Sequence, residues 1–376
     1  MSPLRSAALA LHSLALHTLL LLAAPIWAQT APAPVSDPAT ASPATSAASP
    51  ASPPPGSEGA ASQPAPAAAA PRPALNLKVQ VVNPEDLLDH NKTLLVPTAY
   101  VHLLVEQRTV AARQSGLFSR GNATARSSAH IKVQGLDKAF AQELARLAQD
   151  DLMAQLRQAG FTVLGWDDPK VQALLSFAAR EPVDSAAGLP TSSEGGQTHW
   201  IAAPSDAQRF KPALAGGVFA EFLQGGKSRI TDATLILPQY IINAPQSWAE
   251  TQAGYRSVSA EVNVAPGMNL ARASAQWLGA PKSRVMRGAP GVSTTEQLVN
   301  ATESAGVLVQ TADTTPQAAN ALGGILSALS GAGNIQRSSA DYSFTVDRAA
   351  YQAGVMNAIR AFNAEVARAA AAARAQ

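Results

Sequence analysis

The stretch "ATLILPQYIIN", residues 233 to 243, does most to decide the fold class. It is a run of apolar and β-branched residues of strand length, so it predicts a strong β-strand. Pro238 lies inside it, just as Pro97 lies inside "TLLVPTAYVHLLVEQ" (93 to 107), which predicts a longer strand or a pair of strands. A proline within a strand is typical of an edge or a bend. Both stretches therefore indicate strands that carry an interruption.

Strands are also predicted through most of the chain. "LNLKVQVV", beginning at Leu75, alternates apolar and polar residues with the period of a strand. "RSVSAEVNVAPG" and "NLARASAQWLG" predict two antiparallel strands joined around Pro266-Gly267, because this dipeptide favours a turn. Residues 113 to 129 and 181 to 197 are predicted as loops. Shorter strands are predicted at "HIKVQG", "FTVLGW", "HWIAA", "AGVLVQT" and "ADYSFTVD".

Two long amphipathic helices are predicted, from about Leu136 to Gln158 and from about Arg348 to Arg374. In each, apolar residues recur at spacings of three and four, which places them on one helix face. In the first helix these residues are Phe140, Leu144, Leu147, Ala148, Leu152 and Leu156; in the second they are Tyr351, Val355, Ile359, Phe362 and Val366.

Shorter helices are predicted from capping signals. Asp168 before Pro169 is typical of a helix start, and Ser293 with Glu296 forms a capping box. Many strands with few strand–helix–strand alternations favour an α+β domain. We expect a mostly antiparallel or mixed sheet with the two long amphipathic helices on one face.

An export signal and a linker precede this domain. Residues 1–28 combine Arg5, an apolar run and a small residue, Ala28, which predicts a secretory signal peptide. An uncleaved anchor helix is the alternative. Residues 29–74 contain twelve prolines and few charges, which predicts a disordered Pro/Ala/Ser linker.

The chain contains no cysteine, so a cysteine-linked lipid anchor is excluded. The predicted domain comprises residues 75–376. It is long enough for a large core, in one domain or in two subdomains divided near residues 180–230. Export predicts the periplasm, with outer-membrane association or secretion as alternatives. The formal net charge of +2 gives no reason to expect a nucleic-acid partner.

No catalytic or metal-binding pattern is present in the sequence. There is no Cys nucleophile, no G-x-S-x-G elbow and no metal-spaced histidine pair. We therefore expect no cofactor and no metal, and lean away from an enzyme. The remaining catalytic alternative is an exported hydrolase whose site would include His199, Ser205 and Asp206.

A basic stretch is the strongest binding signal. Between Gln107 and Leu136 there is no acidic residue. Guanidinium groups suit phosphate and carboxylate, so we expect contacts to an anionic surface or an envelope protein, with an ordinary solvated loop as the alternative. The partner-binding residues predicted on this basis are Arg108, Arg113, Leu117, Phe118, Arg120 and Arg126.

The uncharged stretch "NALGGILSALSGAG", residues 320 to 333, gives a second contact candidate. Gly323, Ser327 and Gly331 follow the small-xxx-small spacing that lets helices approach closely. We interpret the segment as a short core helix over about residues 316 to 330. Peripheral membrane insertion and homo-oligomer contact are the alternatives, and a small-ligand or lipid-binding module is a further one.

The order of elements resembles a known family. A helix ending in "LMAQLRQAGFTVL", then "DPKVQALLSF", "ATLILPQYIIN", "VSAEVNVAPGMNLARASAQW" and the closing "YQAGVMNAIRAFNAEVA" resemble the periplasmic domain of the curli-secretion CsgG family. The resemblance implies an anticodon-binding-like fold and a role in secretion or assembly. It implies no catalytic residue. Our functional hypothesis is an exported, non-enzymatic cell-envelope protein that acts by protein or surface contacts.

Overall fold

The structure, a computed structural model, describes the chain from Leu77 onwards with gaps. The described residues are 77–84, 87–88, 92–114, 124–176, 178–211, 223–224, 227–228, 232–253, 258–278, 290–300, 305–317, 320 and 335–375. They all fall in one compact unit, Ala70–Gln376. The predicted signal peptide and linker lie outside the described residues.

Strands and two long helices make up most of the described chain. The strands are β1 (Val79–Val82), β2 (Thr93–Leu95), β3 (Tyr100–Gln114), β4 (Thr124–Gln134), β5 (Thr162–Leu164), β6 (Thr191–Glu194), β7 (Gln197–Ala202), β8 (Leu223–Gln224), β9 (Lys227–Ser228), β10 (Thr234–Asn243), β11 (Gln246–Ala253), β12 (Val258–Ala265), β13 (Met268–Leu278), β14 (Gly291–Thr294), β15 (Leu298–Asn300), β16 (Gly306–Asp313) and β17 (Ile335–Val346). The helices are α1 (Lys138–Gln158), α2 (Pro169–Leu174) and α3 (Arg348–Arg374).

One mixed sheet of 13 strands dominates the fold. Its main path runs β1-β14-β13-β10-β3-β4-β17-β16. β10 pairs antiparallel with β13 and parallel with β3, whereas β4 pairs antiparallel with β3 and parallel with β17. The α+β class with a mixed sheet is confirmed. β7 ends at Ala202 and β10 begins at Thr234, so these two strands flank residues 203–230. Both pair with β3, so the strands before and after this segment belong to one sheet.

The stretch 233 to 243 forms β10, which lies inside the sheet. β2 pairs with β10 at Thr234 and Leu235, and β3 pairs with it from Gln239 onwards. Pro238 lies in the gap between these two partners, so its missing N–H falls where the parallel ladder is already interrupted. Pro97 lies in the same gap, between β2 and β3, and the predicted pair of strands is confirmed.

The two long helices begin at capping aspartates and end close to the predicted positions. The Asp137 side chain accepts a hydrogen bond from the Phe140 N–H at 2.8 Å, and Asp347 caps α3 in the same way. Short helix α2 begins after Asp168 with Pro169 in its first turn, as predicted. The apolar residues predicted for one face of α3 are all buried.

A buried polar contact joins both helices to β10. The Tyr240 hydroxyl donates to Asn363 Oδ1 on α3 at 2.6 Å. Asn363 Nδ2 donates to the Ala148 carbonyl oxygen (3.3 Å) and to Asp151 Oδ2 (2.8 Å) on α1. The rings of Tyr240 and Phe362 meet edge to face with centroids 5.9 Å apart. Every polar atom in this contact has a partner, so it fixes the helices against the sheet without leaving a buried group unsatisfied.

The predicted loop at residues 113–129 is wrong at both ends, where β3 ends and β4 begins. In β4, Ala125, Ser127 and Ala129 are buried and alternate with more exposed neighbours. This is strand periodicity carried by small residues. A strand prediction that depends on large apolar residues does not detect this pattern.

The predicted pairing of "RSVSAEVNVAPG" with "NLARASAQWLG" is also wrong. β12 pairs with β11, and β13 pairs with β10. Pro266-Gly267 connects β12 to β13, where the chain passes from the β11–β12 hairpin to the large sheet. This hairpin packs against β3 and β4, and the hydroxyls of Thr109 and Ser247 lie 2.5 Å apart.

Two other local predictions fail for tertiary reasons. Ser293 lies in β14, between β1 and β13, and Glu296 forms an ion pair with Lys78 at 2.8 Å. The sequence of a capping box is therefore present without a helix, because pairing on both sides favours the strand. The predicted loop at 181–197 contains β6, which pairs with β7.

Candidate functional site

The residues of the hydrolase alternative each have a separate partner. His199 Nε2 lies 2.8 Å from Asn243 Oδ1. Asp206 accepts a hydrogen bond from Lys138 Nζ at 2.7 Å, and Ser205 donates its hydroxyl hydrogen bond within its own turn. Contact with Lys138 lowers the pKa of the Asp206 carboxyl. These partners hold the three side chains in different local networks instead of one triad.

His199 belongs to a buried histidine pair. Burial, together with the nearby His199, lowers the pKa of His102 to about 3. Burial also lowers the pKa of His199, and the hydrogen bond that its ring N–H donates to Asn243 Oδ1 opposes this shift. His102 Nε2 has no hydrogen-bond partner among the described residues. Both imidazoles are therefore neutral at neutral pH, as buried groups inside the sheet should be.

One face of β3, β4 and β17 is open to solvent. Side chains alternate between the two faces of a strand, and the β11–β12 hairpin covers the face that carries Thr109 and Ala129. The opposite face carries the even-numbered residues of β4. We call it the open face; its rows are Arg126 with Arg337, Ser128 with Ser339, and His130 with Arg108 and Asp341.

His130 bridges two carboxylates at the centre of the open face. Its Nε2 lies 2.6 Å from Glu106 Oε1 on β3, and its Nδ1 lies 3.7 Å from Asp341 Oδ1 on β17. A general base in a triad needs one ring nitrogen directed at the nucleophile. Because both nitrogens of His130 face carboxylates, this arrangement favours a binding surface over nucleophilic catalysis.

A cleft of about 590 Å³ lies between the open face and the β6–β7 hairpin. The hairpin tip is held against β3, since the Arg108 N–H donates to the Gly196 carbonyl oxygen at 2.7 Å. Gly196 has φ +81°, and a Cβ there would lie 2.6 Å from the Arg108 carbonyl oxygen. Only glycine fits this close approach without strain. The cleft is lined on its floor by Ser128, Ser339 and Asp341.

Three arginines on the open face have no ion-pair partner in the described part of the chain. Arg108, Arg126 and Arg337 are all exposed. Arg126 and Arg337 lie directly opposite each other on neighbouring parallel strands. Strands are about 4.8 Å apart, so these like charges repel at close range. A bound anion would relieve that repulsion.

The structure brings only part of the predicted contact set together. Arg108 and Arg126 share the open face, whereas Arg113 pairs with Ala125 and so points to the opposite face. The predicted contact residues Leu117, Phe118, Arg120, Gly323, Ser327 and Gly331 lie outside the described residues.

Residues far away in the sequence complete the site, and sequence reasoning missed them. Arg337, Ser339 and Asp341 come from β17, which pairs in parallel with β4. Their alternation in "IQRSSADYS" is a strand signal. However, no local signal shows that β4 is their neighbour.

The described residues do not point to a metal site or a membrane-spanning helix. No cluster of three or more His, Asp or Glu side chains among them is arranged to hold a metal ion. No helix within these residues is long and apolar enough to cross a membrane.

A scan against protein-family models, a search of curated proteins and a search of solved structures each found no match to this chain. The resemblance to the curli-secretion family therefore stays a prediction, and the functional argument depends on the open face.

Proposed function

We propose that this is an exported, non-enzymatic cell-envelope protein that acts through contacts with an envelope protein or an anionic surface. One observation carries the proposal. Arg108, Arg126 and Arg337 are exposed on the open face, and no carboxylate of the described chain pairs with them. Export to the periplasm, with outer-membrane association or secretion as alternatives, rests on the sequence of residues 1–74. The assembly or secretion role rests on the family resemblance.

Charge chemistry supports an anionic partner. Guanidinium groups bind carboxylate and phosphate with two parallel hydrogen bonds. Arg126 and Arg337 lie side by side on paired strands, which hold them in position before a partner arrives. A rigid element that presents its contact groups in advance loses less entropy on binding than a loop would.

The hydrolase alternative receives less support. His199 is only 7% exposed and lies against Asn243, and both nitrogens of His130 face carboxylates. Neither imidazole is placed to take a proton from a serine.

We also propose that both long helices cover the same face of the sheet. α1 contacts β3 and β7, α3 contacts β13 and β14, and the two helices pack against each other. Their buried residues share one core cluster with β3 and β13.

The proposal is tested by sedimentation of the whole protein, purified from cells that express the full chain, with envelope fragments of the same cells. We expect co-sedimentation that weakens as salt rises, because exposed charges are screened. The double variant Arg126→Glu/Arg337→Glu should lose most of this binding. The matched control Arg113→Glu, on the opposite face, should keep it.

Two results would overturn the proposal. One is equal sedimentation of the double variant and the wild type. The other is hydrolysis of an ester, glycan or peptide substrate that a single substitution abolishes.

A further inference from the structure

We infer that the open face, together with the cleft at its edge, binds an anionic saccharide. Arg108 lines the cleft, and Arg126 and Arg337 lie on the open face beyond it. These arginines take an acidic group, either a carboxylate or a phosphate, and the carboxylates and hydroxyls of the cleft take sugar hydroxyls. The inference rests on the proposed function and deepens it by naming the class of partner at the same site.

The three arginines lie at two levels of the open face. Arg126 and Arg337 form one row, and Arg108 lies beside His130, four residues further along β4. At about 3.3 Å per residue the two levels are roughly 13 Å apart. This distance suits a short oligosaccharide that lies along the strands, and it exceeds the size of a single small anion.

Hydroxyl groups fill the space between these levels. The Ser128 hydroxyl donates to Ser339 Oγ at 3.0 Å. Each serine hydroxyl carries one donor and two acceptor sites, so the pair retains capacity for a ligand. On the hairpin side, the hydroxyls of Ser193 and Thr198 lie 3.1 Å apart. Hydroxyl pairs of this kind match the mixed donor and acceptor character of sugar hydroxyls.

Carboxylates at the floor add acceptors. The side chains of Glu106 and Asp341 are 50% and 41% exposed. Each carboxylate has about four acceptor sites, and His130 approaches one oxygen of each. The remaining sites can accept sugar O–H groups. An acidic peptide brings carboxylates without hydroxyl donors, so it leaves these acceptor sites unfilled.

The walls of the cleft contain little apolar surface. The hairpin tip contributes Glu194, Gly195 and Gly196. The apolar residue of the lining is Ala129, whose side chain points to the opposite face. An acyl chain or an apolar peptide side chain would find no hydrophobic pocket there. A polar, hydroxyl-rich ligand is therefore the best chemical match.

The test is isothermal titration calorimetry of the whole protein with defined probes. The probes are a short oligouronate, its neutral methyl ester, a phosphorylated oligosaccharide, inorganic phosphate, poly-glutamate and vesicles that contain an anionic phospholipid. We expect one acidic saccharide to bind at least about tenfold more tightly than the neutral ester, because a hydrogen bond to a charged group is worth that factor or more. The uronate and phosphate arms identify which acidic group is preferred.

Matched variants locate the site. Arg126→Gln/Arg337→Gln should weaken saccharide binding about tenfold or more, and Ser339→Ala should weaken it several-fold. Arg113→Gln, on the opposite face, should bind like the wild type. Equal midpoints of urea unfolding show that each variant is folded.

The outcomes separate this inference from the proposed function. Equal binding of inorganic phosphate, poly-glutamate or anionic vesicles would overturn the saccharide assignment, even though the envelope contact remained. Saccharide binding that needs Arg126 and Arg337, together with envelope sedimentation that ignores them, would overturn the proposed function and keep the saccharide site. No preference for acidic over neutral saccharide would overturn the inference.

Discussion

Residues 100–104 and residues 106–114 belong to the same strand, β3, but they have different surroundings. Every residue in the first segment is buried, with β10 on one edge and β7 on the other. In most of the second segment exposed side chains alternate with less exposed ones, and β4 replaces β10 as the neighbour. The change begins at an irregularity between Leu104 and Glu106, where the pairing with β7 shifts.

The comparison teaches that a change of neighbours turns one strand from a buried core element into an exposed surface. The two long helices pack against the region around the first segment, whereas the β11–β12 hairpin packs on one face of the second. The backbone of β3 is continuous, so the buried first segment holds the exposed second segment in place. A site on a continuous strand holds its side chains more exactly in place than a loop does.

The largest effect is expected from breaking the buried region. Phe362 is fully buried against Tyr240, so Phe362→Ala should lower the free energy of unfolding by about 3–5 kcal/mol. Val309, which is 54% exposed on β16, provides the control. Val309→Ala should cost less than about 1 kcal/mol. Equal shifts of the urea midpoint for the two variants would contradict the assigned core.

Acid should also weaken the buried region, through His102. Its pKa is lowered from 6.5 to about 3 in the folded protein, mainly by burial. Below pH 6.5 the unfolded chain binds a proton at His102 that the folded chain does not, so stability falls as pH falls until about pH 3. Between pH 6.5 and 4.5 the loss is about 2 kcal/mol.

Urea unfolding across that range measures the effect. The chosen window lies above the pH at which most carboxylates take up protons. His102→Leu should flatten the dependence of the free energy of unfolding on pH. A variant that keeps the wild-type slope would show that His102 is not the responsible group.

A smaller effect is expected where the hairpin meets the second segment of β3. Gly196→Ala places a Cβ against the Arg108 carbonyl oxygen, so it should cost about 1–3 kcal/mol and weaken ligand binding in the cleft. Gly195 also has positive φ (+59°), but no atom lies within 4 Å of an added Cβ. Gly195→Ala is the control for backbone strain alone. Gly196→Ala should lower the free energy of unfolding and the ligand affinity more than Gly195→Ala does. Equal effects of the two variants would contradict the close contact between Gly196 and Arg108.

The smallest effect sharpens the description of the open face. Arg337→Gln removes the repulsion with Arg126, so it should raise the free energy of unfolding by a few tenths of a kcal/mol at low salt. The gain should disappear in high salt. Arg113→Gln, across from Ala125, should leave stability unchanged at both salt concentrations. Destabilisation by Arg337→Gln would indicate a favourable contact of its guanidinium instead.

The sequence was most informative where one element alone carries the signal. The apolar faces of α1 and α3, the cap at Asp168, and the run that forms β10 all have local periodicity or local hydrogen bonds. β4 was only partly predicted because small residues fill its buried face, and β11 was not predicted because its sequence is polar. Their identity as strands depends on the neighbours with which they pair.

The candidate site was harder to predict than the fold. Arg108 and Arg126 were proposed from charge alone, and the structure places them on one face. Arg113 came from the same reasoning, but the strand period turns it to the other side. Arg337 and Asp341 were not proposed, because parallel pairing with β4 is a long-range property without a local signature.

Parallel pairing of β4 with β17 has a consequence for how the protein is made. The hydroxyls of Ser128 and Ser339 meet across a separation of 211 residues in sequence. Contacts between such distant residues slow folding, and a chain is synthesised from its N-terminus. β4 can pair with β3 early, but it lacks β17, its other neighbour, until nearly all the described chain has left the ribosome. The surface that we propose to bind the envelope is completed last, so a partially synthesised chain cannot bind its partner early.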